Sequence, residues 1–417
     1  MAVTEREATD VVEAVFRIES ARIIAVAARI VRDVGLAEEL AQDALVAALE
    51  QWPRDGVPDN PGAWLTATAK RRAIDLVRRR EVYARKLAEV GRSLEDAAPE
   101  PEEPSDPESI DDDLLRLIFT ACHPVLSARA RIALTLRLLG GLTTPEIARA
   151  FLVPESTVAQ RIVRAKRTLA TARVPFEVPY GEDRAQRLAS VLEVVYLIFN
   201  EGYSATAGDD LLRPQLCEDA LRLARVLAAL VPDEPEAHGL AALLEFQASR
   251  TAARTGPDGR PVLLAEQNRA RWDGLLIRRG FEAFQRAGAG PYSVQAAIAA
   301  CHAKARRYED TDWATIAALY GRLLVLTPSP VVALNRAVAV SMAQGPAAAL
   351  ELVDELAAEP ALRGYHLLPS VRGDLLARLG RRAQARAEFE RAAELTRNER
   401  ERELLRERAA ALGDSEP

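Results

Sequence analysis

Between Thr143 and Leu169 the chain reads TTPEIARAFLVPESTVAQRIVRAKRTL, and few arrangements accommodate such a stretch. Thr143 and Glu146 have the spacing of a capping box, and Pro145 falls in a first helical turn that needs no amide donors. A short apolar helix through Ile147, Ala148 and Phe151 then meets Val153–Pro154, which stops it. A second helix restarts near Glu155, with Val158, Ile162, Ala165 and Leu169 spaced for one buried stripe. Thr157, Gln160, Arg161, Arg164 and Lys166 fall off that stripe and are expected to face outward. Two readings fit. One is a pair of ordinary amphipathic helices with a solvated basic face; the other is a helix-turn-helix whose second helix enters a major groove.

The rest of the chain bears on that choice. With 417 residues, 49% hydrophobic and 28% charged, there is material for two to four globular domains. Richness in Ala, Leu, Arg and Glu with only 5% aromatics favours helices throughout. No apolar run is long enough to span a membrane, and MAVTEREATD does not read as a signal peptide. Cys122, Cys217 and Cys301 are odd in number and far apart, so neither a disulfide framework nor a CxxC knuckle is expected, and a reduced cytoplasmic setting follows. Cys122–His123 and Cys301–His302 lack a second pair of ligands nearby, and no metal or other cofactor is expected. The phosphate-loop, GxSxG and HExxH motifs are missing and only 4 His are present, which argues against an enzyme.

The net charge of −6 hides a segregated distribution. From Trp64 to Arg80 six bases (Lys70, Arg71, Arg72, Arg78, Arg79, Arg80) face one acid, Asp75, which is expected to brace a neighbouring Arg. From Glu95 to Asp113 there are ten acids and no base. Residues 10–34 predict a long helix ending at Gly35 as its C′ residue, and LAEELAQDALVAALEQW predicts a second helix running to Pro53. AWLTATAKRRAIDLVRRR predicts a third, basic at its end. SLEDAAPEPEEPSDPESIDDD carries almost no large apolar residue and reads as a flexible linker. Two further helices lead into 143–169, so 111–175 forms a four-helix unit. Beyond Pro175 the pattern turns to helix pairs. Gly373, Leu376, Gly380, Ala385, Phe389 and Ala392 follow a tetratricopeptide pattern of small, large and turn residues. Ala337, Val340, Ala349 and Val353, and again Ala220, Ala224, Leu227 and Pro232, match it in part, with a generic helical bundle as the alternative.

A basic helix, an acidic linker and a helix-turn-helix in that order resemble the extracytoplasmic-function sigma factors, promoter-recognition subunits of bacterial RNA polymerase, over residues 10–175. GLAEELAQDALVAALEQW looks like region 2.2, which implies docking on the polymerase β′ coiled coil through Glu38, Glu39, Gln42 and Asp43, with Leu40 and Leu45 in packing roles. NPGAWLTATAKRRAIDLVRRR looks like regions 2.3 and 2.4, which implies that Asn60, Trp64, Lys70, Arg71 and Arg72 capture the melted −10 element, Trp64 being equally at home in the core. Arg71 departs from the Asn the family commonly has there. The stretch 143–169 looks like region 4.2, implying −35 reading by Ser156, Thr157, Gln160, Arg161, Arg164 and Lys166, and a contact with the polymerase β flap.

The resemblance therefore implies an all-α chain. Residues 1–90 form a region 2 domain, 91–110 an acidic linker, 111–176 a region 4 helix-turn-helix domain and 177–417 a tetratricopeptide-like domain. GPDGRPVLLAEQNRARWD, TDWATIAALYGRLL and SPVVALNRAVAV resemble a subfamily with such an extension, which implies modulation in cis and a regulatory protein or peptide as partner. Asp310, Asp312 and Trp313 read either as a ligand site or as helix-capping structure. Two other functions remain open from the residues: a helix-turn-helix regulator with a sensory repeat domain, and a repeat scaffold without a DNA role.

Overall fold

The computed structural model describes residues 5–90, 107–151, 153–204, 212–256 and 260–413, and the chain separates into two units, 1–195 and 196–417. Most of the acidic linker and the tip of GPDGR lie outside the described residues. Those described are helical, with a single isolated β-bridge between Thr255 and Pro261. Among them no helix is long and apolar enough to cross a membrane, and no group of His, Cys, Asp and Glu is placed to hold a metal ion.

In the first unit α1 (Glu5–Val31) packs on α2 (Val34–Asp55) and α3 (Pro61–Val90). The break between α1 and α2 comes earlier than the glycine suggested. Arg32 takes the left-handed backbone (φ 52°), and Asp33 Oδ1 accepts from Gly35 N at 2.7 Å and Leu36 N at 3.0 Å. Gly35 is thus in the first turn of α2, because an Asp N-cap outcompetes a Gly C′ for the same backbone. α2 also runs through Pro53 to Asp55 and closes at Gly56 (φ 86°), whose N–H reaches Trp52 O. A proline so near the end removes only one helical donor.

Helices α4 (Pro107–Ala121), α5 (Ala128–Leu138), α6 (Thr144–Phe151) and α7 (Glu155–Thr171) follow. The capping box forms: Thr143 N donates to Glu146 Oε2 at 2.7 Å, and Glu146 N to Thr143 Oγ1 at 3.4 Å. Val158, Ile162, Ala165 and Leu169 are all buried. One expectation fails at the start of α4. Asp113, the last residue of the acidic run, is fully buried rather than part of a solvated linker, with Arg29 at 3.0 Å and Arg116 at 2.7 Å. Burial raises the Asp113 pKa, and the two cations offset that cost in part. Helix α8 (Gly181–Tyr203) begins in this unit, where Ser190 Oγ donates to Cys122 O at 2.6 Å and Glu193 pairs with Arg131 at 3.0 Å.

The second unit continues with α9 (Pro214–Leu230), α10 (Pro235–Ala248), α11 (Gly274–Phe284), α12 (Pro291–Lys304), α13 (Trp313–Leu326), α14 (Pro330–Ala343), α15 (Pro346–Leu356), α16 (Leu367–Arg378), α17 (Arg382–Leu395) and α18 (Glu399–Ala411). Each packs on the next in sequence, and α10 also packs on α12. That close approach has a cause. A Cβ on Gly239 would lie 2.4 Å from Ser293 Oγ, and Glu236 accepts from the Tyr292 and Ser293 amides at the start of α12. Gly373, Leu376, Ala385, Phe389 and Ala392 are buried at α16–α17, and Gly380 takes φ 76° between them. Asp312 caps α13 by accepting from Thr315 N at 2.9 Å, and Trp313 meets His302 and Tyr308 edge-on.

Burial, with Arg250 and Arg269 nearby, pushes the His302 pKa from 6.5 down to about 3. The folded state therefore favours the neutral ring. Its contribution to stability is complete above about pH 6.5 and is lost progressively as pH falls toward the folded value. Denaturant melts across this range should show a shallower acid-side loss for His302→Gln than for the native chain.

Candidate polymerase and nucleic-acid interface

The proposed −10 residues lie along α3. Asn60 is exposed, and its Oδ1 accepts from Ala63 N at 3.1 Å, so it caps the helix. Trp64 is half-buried, edge-on to the buried Trp52 at 5.5 Å, which serves both readings of this residue. Lys70 and Arg72 are partly exposed and Arg71 is exposed. Arg72 reaches Asp43 Oδ2 at 3.4 Å, a surface pair worth about 1 kcal/mol at most. Asp75 forms no ion pair among the described residues, contrary to the expected bracing.

On α2, Glu39, Gln42 and Asp43 are exposed beside Val46, itself 51% exposed. Glu38 is not. It is 6% exposed, and its carboxylate accepts from Arg137 Nε of α5 at 2.5 Å and pairs with Lys166 Nζ of α7. Leu40 is buried and Leu45 half-buried.

On α7, Ser156, Gln160 and Arg164 are exposed and Thr157 and Arg161 partly so. Neither Arg161 nor Arg164 forms an ion pair among the described residues. Lys166 departs from the outward face expected of it, because Glu38 draws its ammonium inward. A polymerase-binding candidate and a DNA-binding candidate thus hold each other. Arg137 also donates to Leu142 O at 3.2 Å. A cavity of about 540 Å³ flanks this junction, lined by Arg29, Arg32, Lys166 and Arg173 among others.

Sequence reasoning missed Arg137, Arg29 and Asp113 as junction residues. A lone cation inside the apolar run LTLRLLGG was the one available signal, since a charge there needs a partner. Removing one partner from a buried ion pair costs about 3–5 kcal/mol. Glu38→Gln should therefore speed amide exchange in α5 and α7 of the full-length protein. Combined with Lys166→Met it should show a coupling of about 0.5–3 kcal/mol in the opening free energy. Additive effects would mean the pair does not hold the helices together.

Comparison with known proteins bears on the whole arrangement. Residues 15–82 match Sigma-70 region 2, and residues 116–169 match Sigma-70, region 4. Residues 187–288 match a family of unknown function, DUF6596. The chain is 46% identical over 383 residues to an uncharacterized protein of Rhizobium meliloti (strain 1021), covering 91% of this chain and 90% of that one. It is 30% identical over 152 residues to ECF RNA polymerase sigma factor SigK of Mycobacterium ulcerans (strain Agy99), covering 36% of this chain and 78% of that one. The chain belongs to the ECF sigma factors of the sigma-70 family, a non-enzymatic class in which regions 2 and 4 imply binding to core RNA polymerase and promoter DNA, here with a C-terminal extension of unknown role.

Proposed function

We propose that this protein directs core RNA polymerase to specific promoters and that its C-terminal domain modulates this activity in cis. The observation that carries the reading is α7 itself: a buried apolar stripe, an exposed polar face, and two mid-helix arginines with no ion pair among the described residues. Arg161 and Arg164 read −35 base edges, Gln160 supports them, and Ser156 and Thr157 hold phosphates at the helix start. Asn60, Trp64, Lys70, Arg71 and Arg72 engage the melted −10 strand, with Trp64 offering its uncovered face to a base. Glu39, Gln42 and Asp43 form the docking face for the β′ coiled coil, and region 4 meets the β flap. Glu38 joins that face, and Lys166 the DNA face, only when the two part.

The domain scheme supporting this reading is 1–90, 91–110, 111–176 and 177–417, the last tetratricopeptide-like. Its consecutive helix pairs, with small residues at Gly373, Ala385 and Ala392 between them, suit such a repeat. A tethered domain acts at high effective concentration, which makes control in cis efficient and leaves room for a regulatory protein or peptide on its surface. The work is cytoplasmic, where core polymerase is.

Transcription in vitro with bacterial core polymerase and a genomic promoter library tests the assignment. Glu39→Lys with Asp43→Lys should abolish co-purification with core while the far-UV circular dichroism stays native. Unchanged core binding would overturn the docking face. Arg161→Ala and Arg164→Ala should each cost about 1–3 kcal/mol at a matched promoter. A uniform loss across all sequences would instead mark a phosphate contact, and no loss would exclude α7 as the reader.

Fragment 1–175 should give a promoter output different from the full chain at equal core occupancy, with loss of activity expected if the extension helps dock the modules. Identical output would show the extension to be a passive passenger.

A further inference from the structure

The stretch LAEQNRARWD lies outside both matched sigma regions, yet it builds an unusual place in the second unit. Three guanidiniums gather there on two aromatic planes. Arg254 lies 3.6 Å over the Tyr203 ring, while Arg250 and Arg269 lie 5.1 and 4.6 Å from the centre of the Trp272 ring. None of the three forms an ion pair among the described residues. Nearby acids act on these arginines only without ion-pair contact, Glu309 and Asp310 on Arg269 and Glu401 on Arg254. Glu401 holds His366 at 3.1 Å and accepts from Thr396 at 2.8 Å, and Asp310 sits on an exposed turn with Arg307 at 3.4 Å. Around Arg250 the groups of opposite polarity are phenols, Tyr203 and Tyr320.

Counting donors separates structural arginines from uncommitted ones. Arg269 is structural: it donates to His302 O at 2.5 Å, Ala305 O at 2.8 Å and Thr311 Oγ1 at 3.4 Å. Arg254 gives only Nη1, to Tyr203 O at 2.5 Å, and Arg250 gives only Nε, to Gln267 at 3.4 Å. Both Nη groups of Arg250 and Nη2 of Arg254 have no acceptor among the described residues. In the same place Tyr203 Oη, Trp272 Nε1 and His302 Nδ1 are buried with no hydrogen-bond partner among the described residues.

Such an arrangement is costly by itself. Burial and mutual repulsion hold Arg250 and Arg269 below the ordinary arginine pKa, and burial together with the same charges keeps His302 neutral. Water can satisfy the donors without neutralising the charge. A group that supplies both several acceptor oxygens and a negative charge fits, and the planar guanidinium fork matches carboxylate and phosphate in particular.

We propose that Arg250 and Arg254, with Tyr203 and Trp272, form a binding site in the C-terminal domain for one small oxyanion, a carboxylate or phosphate group of a small-molecule ligand. Arg269 contributes charge and fixes the loop behind the site. The site is independent of the promoter-binding reading, and its test reads binding rather than transcription. Full-length protein is titrated calorimetrically with inorganic phosphate and, separately, with citrate, at ionic strength held constant with chloride. Saturable binding of one or both is expected, and which one binds assigns the group. Arg250→Met should weaken it at least about tenfold, and Tyr203→Phe, which removes only a hydroxyl, should weaken it less.

Without anion, Arg250→Met should melt no lower than the native protein, because it removes an uncompensated charge rather than a support. Absence of saturable binding beyond the chloride control overturns the proposal. So does unchanged binding in both variants, or a lower melting point for Arg250→Met joined to native-like anion affinity in Tyr203→Phe.

Discussion

The burial of the Glu38 carboxylate organises the first unit. A carboxylate taken out of water costs several kcal/mol unless cations and hydrogen bonds compensate it. Here Arg137 and Lys166 do so from two different helices, α5 and α7. The requirement fixes both helices against α2. Asp113 repeats the device with Arg29 and Arg116, joining the start of α4 to α1. Two buried acids, each between two bases, thus hold regions 2 and 4 together. This bears on the proposed function: the face proposed for polymerase and the helix proposed for the −35 element are not independent surfaces. Any complex that uses Glu38 or Lys166 must first separate them and supply new partners.

The second unit is held differently. Helices α11, α13 and α18 start on side-chain caps at Asp273, Asp312 and Asn398, and α12 starts on a carboxylate borrowed from Glu236. Buried Phe246 and Phe389 fill the space that Gly280 and Gly373 leave. Charge is compensated well in some places, with buried Glu245 accepting two bonds from Arg225. Around Trp272 it is not. The contrast within one domain is what sets the arginine cluster apart from ordinary structural pairing.

The helix-turn-helix was legible because its rules are local. A capping box, a proline stop and a four-three-four apolar spacing each act within one turn or one helix, and each appears in the structure as read. The exposed face of Glu39, Gln42 and Asp43 was legible for the same reason. The helix break at Arg32 rather than Gly35 was a contest between two local signals, an Asp N-cap and a glycine stop, in which the cap's two hydrogen bonds prevailed. The acidic run misled at its end, since composition cannot say which of three adjacent aspartates meets Arg29, distant in sequence, beside Arg116 one turn along its own helix.

What the sequence determined by itself is the succession of helices, the polarity of their faces and the order of a basic helix, an acidic stretch and a helix-turn-helix pair, because periodicity and capping depend on near neighbours. What tertiary structure decided is which charges are spent inside the molecule. Glu38 and Lys166 look like surface residues from their own helices, and only the meeting of α2 with α5 and α7 buries one and turns the other inward. Arg250 and Arg269 likewise look like solvated bases until folding lays both on Trp272. The free energy of a charge is set by everything within several ångströms of it, and that neighbourhood is assembled from segments far apart in the chain.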